Sequence, residues 1–174
     1  IPVDVKLVGW NPFIPNDEDN SGLPVGGLEY TFTNTAKEEV EAIFSFNTRN
    51  FMHRTNEVLS PILKMDKGFI LSQNKPKTYP DQEGYCAIFT DEQDTKVNYN
   101  WFRGGWFDPL KMAWNHVERG EMPENDPVVG GTGASIYVPF KLKAGESKTI
   151  KVYFAWYVPR SVHNIGPDAE SKSD

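Results

Sequence analysis

Three carboxylates and two amides lie within five residues near the start of the chain, in the run Asn16-Asp17-Glu18-Asp19-Asn20. Oxygen ligands at this density can bind Ca²⁺. The run lacks the glutamate that closes an EF-hand loop, and Asn and Asp are also common turn residues. We therefore favour a solvated turn over a metal site, and the sequence predicts neither a metal nor a cofactor.

The histidines, the cysteine and the acidic residues form no catalytic motif that the sequence identifies. His53, His116 and His163 lie far apart, and none belongs to a ligand-spaced pair such as HExxH. Cys86 lies in an apolar run, which is typical of a structural thiol. Glycosidases need only two carboxylates, but these are brought together in space, and among 24 acidic residues no pair stands out.

Arg103 is the strongest single candidate for a binding role. It lies in the run Trp101-Phe102-Arg103-Gly104-Gly105-Trp106-Phe107-Asp108-Pro109. The glycines allow close approach of the backbone, and an arginine among aromatic rings can stack on a ring or bind a carboxylate bidentately. The alternative, to which we give more weight, is an arginine that ties its own loop to a neighbouring carboxylate.

A second aromatic run, Trp10-Asn11-Pro12-Phe13-Ile14-Pro15, has a different character. Its two prolines fix φ and remove backbone donors, which excludes a helix and the middle of a sheet. We expect a stiff crossover that Trp10, Phe13 and Ile14 attach to an apolar surface. Most of the five Trp residues are expected to fill a β core, while one or two are candidates for stacking on a sugar ring.

Composition sets limits on size and partners. A chain of 174 residues forms one domain by the usual length prior. Its net charge of −6 argues against nucleic acid or an anionic membrane as the main partner. A single cysteine forms no internal disulfide, and the apolar stretches are too short to span a bilayer. The chain shows no signal peptide and does not begin with Met, so we interpret it as a trimmed piece of unknown localisation.

Period-two alternation of apolar residues predicts the main strands. Leu28 to Thr33 and Val40 to Phe46 flank a polar turn, and Ile136 to Leu142 and Ile150 to Trp156 flank the turn Lys143-Ala144-Gly145-Glu146. Each pair predicts a β-hairpin. Shorter runs at 68–72, 84–90 and 95–101 predict further strands.

One segment has helical spacing instead. Asp108 can cap a helix with Pro109 at its first position, and Gly120 can end it, which predicts a helix over about 109–119. The fold class is therefore mainly β, an antiparallel β-sandwich with one short inserted helix. Residues 1–160 form the sandwich domain, and the polar segment 161–174 is a tail or linker.

Several of these runs together resemble a known family. The run Trp10 to Pro15, the segment Ser21-Gly22-Leu23-Pro24-Val25 and the strand Glu29-Tyr30-Thr31-Phe32-Thr33-Asn34 are similar to the N-terminal domain of glycoside hydrolase family 116. This is the family of bile-acid β-glucosidase (non-lysosomal glucosylceramidase) and of bacterial β-glucosidases. The segments Phe102 to Asp108, Trp114-Asn115, Leu142 to Glu146 and Phe154 to Pro159 also resemble it, so the similarity spans about Val3 to Pro159.

The resemblance implies a β-sandwich packed against an (α/α)₆ barrel, in which a glutamate nucleophile and an aspartate acid/base hydrolyse β-glucosides with retention. Both residues belong to the barrel and have no counterpart here, so no catalytic residue is implied in this chain. The family's N-terminal domain is longer than this chain. Whether residues 1–160 make a whole sandwich is left open, and rings that pack on the barrel are expected to be exposed.

Three functions remain in competition. The first is an accessory domain that is inactive alone and buttresses the barrel of the same protein, with interface or sugar-rim candidates Trp10, Phe13, Trp101, Arg103, Trp106 and Trp114. The second is a carbohydrate-binding module, which predicts two or three coplanar exposed rings among Trp101, Trp106 and Trp114. The third is a self-contained hydrolase, which needs a deep pocket with two carboxylates. We rank them in this order.

Overall fold

The computed structural model describes residues 2–101 and 108–160. Within these ranges the chain folds into two antiparallel sheets and a helix packed outside one of them, which confirms the predicted mainly β class. The elements in chain order are β1 (Val3–Trp10), α1 (Glu18–Ser21), β2 (Val25–Asn34), β3 (Val40–Arg49), β4 (Ile62–Met65), β5 (Gly68–Gln73), a 3₁₀ turn (Pro80–Gln82), β6 (Gly84–Phe89), β7 (Lys96–Asn98), α2 (Pro109–Glu118), β8 (Gly133–Leu142) and β9 (Ser147–Tyr157).

The two sheets differ in width. The larger sheet has the strand order β1-β2-β9-β6-β5-β4, and the smaller has the order β3-β8-β7. The predicted strands are all present, whereas β1, β4 and α1 were not predicted. None of the described helices is long and apolar enough to cross a bilayer.

The core lies between the sheets, where the predicted alternation places apolar side chains. Its buried members are Phe44, Ile62, Phe69, Leu71, Cys86, Ile88, Ala134, Ile136, Val138, Phe140, Leu142, Ile150 and Val152. Cys86 is a free, buried thiol, in agreement with its predicted structural role. Burial raises the pKa of this thiol to about 11, because the apolar surroundings disfavour the thiolate.

Both predicted hairpins are wrong. β2 pairs with β1 and β9, while β3 pairs with β8, so the chain crosses from one sheet to the other at residues 35–39. The turn 143–146 makes the same crossing between β8 and β9. The alternation of apolar residues indicates which face of a strand is buried, but it does not indicate which strand pairs with it. Here consecutive strands face each other across the core, as the contact of the Tyr30 and Phe44 rings shows, with 4.9 Å between centroids.

Asn34 joins these two crossings. Its buried side-chain amide donates to the carbonyl oxygens of Glu38 at 2.7 Å, Leu142 at 2.9 Å and Lys143 at 3.1 Å. Its side-chain oxygen accepts from the backbone N–H of Ala36 at 2.8 Å. One side chain therefore supplies hydrogen bonds to both connections, whose backbone groups would otherwise be left unpaired near the core.

The inserted helix is confirmed as α2. Asp108 accepts from the N–H of Leu110 at 3.0 Å as the N-cap, and Pro109 occupies the first turn. Gly120 adopts φ of 64°, and the N–H of Glu121 donates to the carbonyl of His116 at 2.9 Å, which completes a Schellman motif. The cap residues seen in the sequence thus set both ends of the helix.

The acidic run near the start of the chain forms a single helical turn, α1. Asp17 is its N-cap and accepts from the backbone and side-chain N–H groups of Asn20 at 3.0 and 2.6 Å, which lowers the pKa of the Asp17 carboxyl. The carboxylate is thus engaged in a cap. Within the described ranges, no group of three His, Cys, Asp or Glu side chains is arranged to hold a metal ion.

Replacement of Asn34 tests the connection between the sheets. We expect Asn34→Ala to lower the free energy of unfolding by about 2–4 kcal/mol, because it leaves several buried backbone groups without partners. Urea unfolding measures the change. Asn74→Ala removes an exposed amide and is expected to change stability by less than about 0.5 kcal/mol. Equal effects of the two substitutions would contradict the role of Asn34.

Candidate domain interface

The outer face of the larger sheet, which points away from the core, is divided into a polar and an apolar half. In the half near Asn34, Thr31 and Thr149 share a hydrogen bond of 2.8 Å, and Thr33 and Ser147 share one of 2.7 Å. Lys151 forms an ion pair with Glu29 at 3.6 Å in the next row. Hydroxyl and charged groups therefore make this half suited to water.

Beyond the ion pair, an apolar row crosses all six strands. The residues that pair across it are, in order, Trp10, Gly27, Tyr153, Phe89, Gly68 and Met65. The Tyr153 ring contacts Trp10 edge-on at 6.3 Å and stacks on Phe89 at 5.3 Å between centroids. A Cβ atom on Gly27 would lie 2.6 Å from the Trp10 indole, so the ring lies directly over the glycine backbone.

Two further rows extend the apolar half toward the end of the sheet. One consists of Val25, Ala155, Ala87, Ile70 and Leu63, and the other contains the paired residues Tyr157 and Tyr85. The Tyr85 and Tyr157 rings are 6.5 Å apart and inclined by only 26°. We call the apolar side chains of these three rows the aromatic face. It consists of Trp10, Tyr153, Phe89, Met65, Val25, Ala155, Ala87, Ile70, Leu63, Tyr157 and Tyr85.

The aromatic face is accessible in this chain. Trp10 is 39% exposed, Leu63 39% and Tyr157 62%. Gly27, Ala87 and Ala155 lie near the centre of the face. Because these residues are small, the centre forms a depression between the larger side chains at the margins. A contiguous apolar area of this kind marks a protein–protein or domain contact more often than a solvated surface.

Tyr153 brings one polar group to the margin of the aromatic face. Its hydroxyl donates to Oδ2 of Asp91 at 3.2 Å. Burial and the nearby Asp91 carboxylate raise the pKa of the Tyr153 phenol, so the ring remains neutral. The hydrogen bond holds the phenol at the boundary between the two halves, with the ring in the apolar half.

Two of the residues predicted from sequence lie at this end of the molecule. Trp10 is part of the aromatic face, and Phe13 follows it in the connection to β2, with 71% of its surface exposed. This connection is closed by Ser21, whose hydroxyl bonds to both the N–H and the carbonyl of Ile14 at 2.9 Å. The crossover is closed by these hydrogen bonds, but Phe13 and Ile14 are exposed and do not attach it to an apolar surface of the domain, as the sequence had led us to expect.

Trp101 and Trp114 belong to the opposite side of the domain, on the smaller sheet. Trp101 is only 2% exposed; its indole N–H donates to Ser135 at 2.8 Å, and its ring covers Gly133. Trp114, on α2, is 59% exposed and donates to Glu118 at 2.8 Å. Arg103 and Trp106 lie outside the described residues.

Sequence reasoning missed most of the aromatic face, although a signal for it exists. The segments 85–89 and 152–156 are apolar at every position, and 69–71 is apolar as well. Strands that are buried on only one face alternate, whereas continuous apolar runs are typical of strands covered on both faces. Three neighbouring strands of the larger sheet, β5, β6 and β9, carry such runs at the same end.

A cavity of about 500 Å³ beside the smaller sheet is an alternative site. Arg49, Asn50, His53 and Ser60 are among its lining residues. Most of their polar groups bond within the domain: His53 contacts Ser60 at 3.0 Å, and the Asn50 amide donates to two carbonyl oxygens. No carboxylate is among the described residues that line the cavity, so it lacks the pair of acids that a glycosidase needs.

Two antiparallel sheets with one inserted helix make the β-sandwich that the resemblance implied. The chain belongs to glycosyl-hydrolase family 116 as an N-terminal domain, since the family model described as "beta-glucosidase 2, glycosyl-hydrolase family 116 N-term" matches residues 1–170. The predicted resemblance is thereby confirmed, and it implies a catalytic domain in the same protein. A search of curated proteins found no match.

Substitution of Gly27 tests the packing of the aromatic face. We expect Gly27→Ala to displace the Trp10 indole, since the new methyl would meet it at 2.6 Å, and to lower stability by about 1–3 kcal/mol. Tryptophan fluorescence and urea unfolding measure the two effects. Gly9→Ala is the control, because its Cβ would meet Leu28 at an ordinary 3.5 Å. Unchanged fluorescence in Gly27→Ala would contradict the described position of Trp10.

Proposed function

We propose that this chain is a non-catalytic accessory domain of a β-glucosidase of family 116, and that its aromatic face packs against the catalytic barrel of the same protein. The observation that carries the proposal is the division of one sheet face into a polar and an apolar half. Water-exposed sheets have polar outer residues throughout, whereas a sheet half-covered by another domain needs polar residues only on its uncovered part.

The parent protein would then hydrolyse β-glucosides, as the name of the family model suggests, with glucosylceramide-like lipids as one candidate class of substrate. Trp10 and Phe13 lie at the margin of the proposed contact, and Arg103 and Trp106 remain candidates for the rim of the active site. Trp101 would act within the domain, by fixing the start of the segment that carries Arg103.

The described carboxylates support a non-catalytic role. A glycosidase general acid needs an apolar environment that keeps its carboxyl protonated near neutral pH. None of the Asp and Glu residues that the structure describes is buried. In the cavity beside α2, Glu41 is paired with Lys141, and Glu118 accepts a hydrogen bond from the indole N–H of Trp114.

The proposed contact can be tested in the parent enzyme with two substitutions on β9. We expect Tyr157→Lys, in the aromatic face, to weaken docking by about 2 kcal/mol or more, because it buries a charge in an apolar contact. Thr149→Lys lies on the same strand and the same face but in the polar half, and is expected to have little effect. Differential scanning calorimetry of the parent and of the isolated chain measures whether the two domains still unfold together. Coupled unfolding that survives Tyr157→Lys would refute this contact.

The isolated chain tests the non-catalytic role directly. We expect no turnover of a chromogenic β-glucoside and no heat of binding in titrations with glucose, cellobiose or octyl β-glucoside. Saturable binding without turnover would favour a carbohydrate-binding module instead. Turnover by the chain alone would overturn the proposal.

A further inference from the structure

The cavity beside the smaller sheet has the size of a binding site for a small organic molecule. It lies where β3 ends at Arg49 and β8 begins, between the loop 50–61, the segment 130–132 and the start of α2. Its volume of about 500 Å³ falls in the range of ligand sites, which is roughly 300–1,000 Å³. None of the described residues that line it belongs to the aromatic face, so the cavity is separate from the proposed domain contact.

A buried hydroxyl without a partner lines this cavity. The side-chain oxygen of Thr132 is inaccessible to bulk water, and it makes no hydrogen bond with any of the described residues. Buried hydroxyl groups in proteins are nearly always hydrogen-bonded. The Thr132 hydroxyl is therefore available to a molecule that occupies the cavity.

The hydrogen bonds of His53 determine which of its ring nitrogens is available. Ser60 donates its hydroxyl hydrogen to Oε1 of Gln73 at 3.1 Å, so in the contact between Ser60 and Nδ1 of His53, at 3.0 Å, the imidazole is the donor. Nε2 makes no hydrogen bond with the described residues. Because Nδ1 already carries a hydrogen, the ring becomes a cation when Nε2 is protonated as well.

Arg49 brings a permanent positive charge to the wall of the cavity. Its Nη2 contacts Oδ1 of Asp108 at 3.3 Å, which is its only ion pair within the described residues. A guanidinium has five N–H donors, so most of them remain available. Asp108 itself is not among the described residues that line the cavity, and neither is any other carboxylate.

Basic residues also gather in the two loops beside the cavity. The loop 50–61 packs against the segment 74–78, where the Glu57 carboxylate accepts from the backbone N–H groups of Lys77 at 2.8 Å and Thr78 at 3.2 Å. The segments 49–60 and 74–78 contain one acidic residue, Glu57, and the four basic residues Arg49, Arg54, Lys75 and Lys77. Since the whole chain has a net charge of −6, this is a local reversal of charge that attracts anions.

The rest of the wall is apolar. Val58, Leu59 and Pro109 line it, and Leu59 is 58% exposed. An inorganic anion would leave these side chains in contact with water, whereas an anion with an apolar part would cover them. The lining therefore favours a molecule with one charged and one apolar end.

We propose that this cavity binds a small organic anion, in which a carboxylate, sulfate or phosphate group is joined to an apolar part. Arg49 binds the anionic group through its available N–H donors, as arginine commonly does with such groups. The Thr132 hydroxyl and Nε2 of His53 donate further hydrogen bonds to it. The apolar part contacts Leu59 and Pro109. This binding site goes beyond the accessory function proposed above and does not depend on it.

Isothermal titration of the parent enzyme with benzoate, phenyl sulfate and phenyl phosphate tests the proposal, with phenol as the neutral probe. We expect saturable binding of at least one of the three anions and much weaker binding of phenol. The anion that binds most tightly identifies the anionic group that the cavity prefers.

Three substitutions in the parent enzyme locate the binding. We expect Arg49→Gln to weaken anion binding about 10-fold or more, because it removes the charged donor. Thr132→Val keeps the shape of the side chain and is expected to fold, since it removes a hydroxyl that has no partner, and to weaken binding about 3-fold or more. Arg54→Gln is the matched control. It removes the same charge from the same loop, but Arg54 is not among the residues that line the cavity, so we expect a change of less than about 2-fold.

Several results would overturn the anion site. These are the absence of binding by all three anions, equal binding of phenol, and anion binding that both Arg49→Gln and Thr132→Val leave unchanged. Equal losses in Arg49→Gln and Arg54→Gln would show a diffuse response to charge and would also refute it. None of these outcomes affects the contact at the aromatic face, which is tested separately by Tyr157→Lys.

Discussion

The hydrogen bonds of Asn34 are the constraint on which the two-layer arrangement depends. They hold both sheet-to-sheet connections side by side. At this end of the sandwich, Thr33 of β2 pairs with Ser147 of β9, and Val40 of β3 pairs with Leu142 of β8. With this end of the sandwich fixed, the registers of the four central strands are fixed as well. The polar half of the outer face lies at the same end as Asn34, and the register places the apolar rows at the other end.

The strands could be predicted from sequence, but their partners could not. Alternation along β8 and β9 correctly identifies Ile136, Val138, Ile150 and Val152 as core residues, because the side-chain period of a strand depends only on local geometry. Pairing depends on contacts that are distant in sequence. The bond from Asn34 to Leu142 joins residues 108 positions apart, and nothing near the turn 143–146 distinguishes a crossing between sheets from a hairpin. The helix was predictable because its caps are local.

The candidate site was predictable only in part, for a related reason. Trp10 and Phe13 stand out because the prolines that follow Trp10 exclude a helix and the middle of a sheet, and the fold leaves both residues exposed. Trp101 lies in an equally unusual run, but its environment is set by Gly133 and Ser135, which lie more than thirty positions away. Tyr153 lies on the outer face of β9. Alternation identifies only the core face of this strand, so it gives no signal that the outer face is apolar.

β1 is an edge strand that carries Trp10 to the aromatic face, and this has an energetic consequence. Among the described residues the strand pairs only with β2. One face of it, with Val5 and Leu7, covers no core, while the other carries Trp10 into the aromatic face. Such an edge strand gains little from the isolated domain and is expected to open more readily than β9 or β6. Any partner that orders β1 from one side lowers the conformational entropy that a partner on the other side must overcome. A contact that orders β1 at the aromatic face therefore also fixes Val5 and Leu7 on its other face, because both sets of side chains belong to one strand.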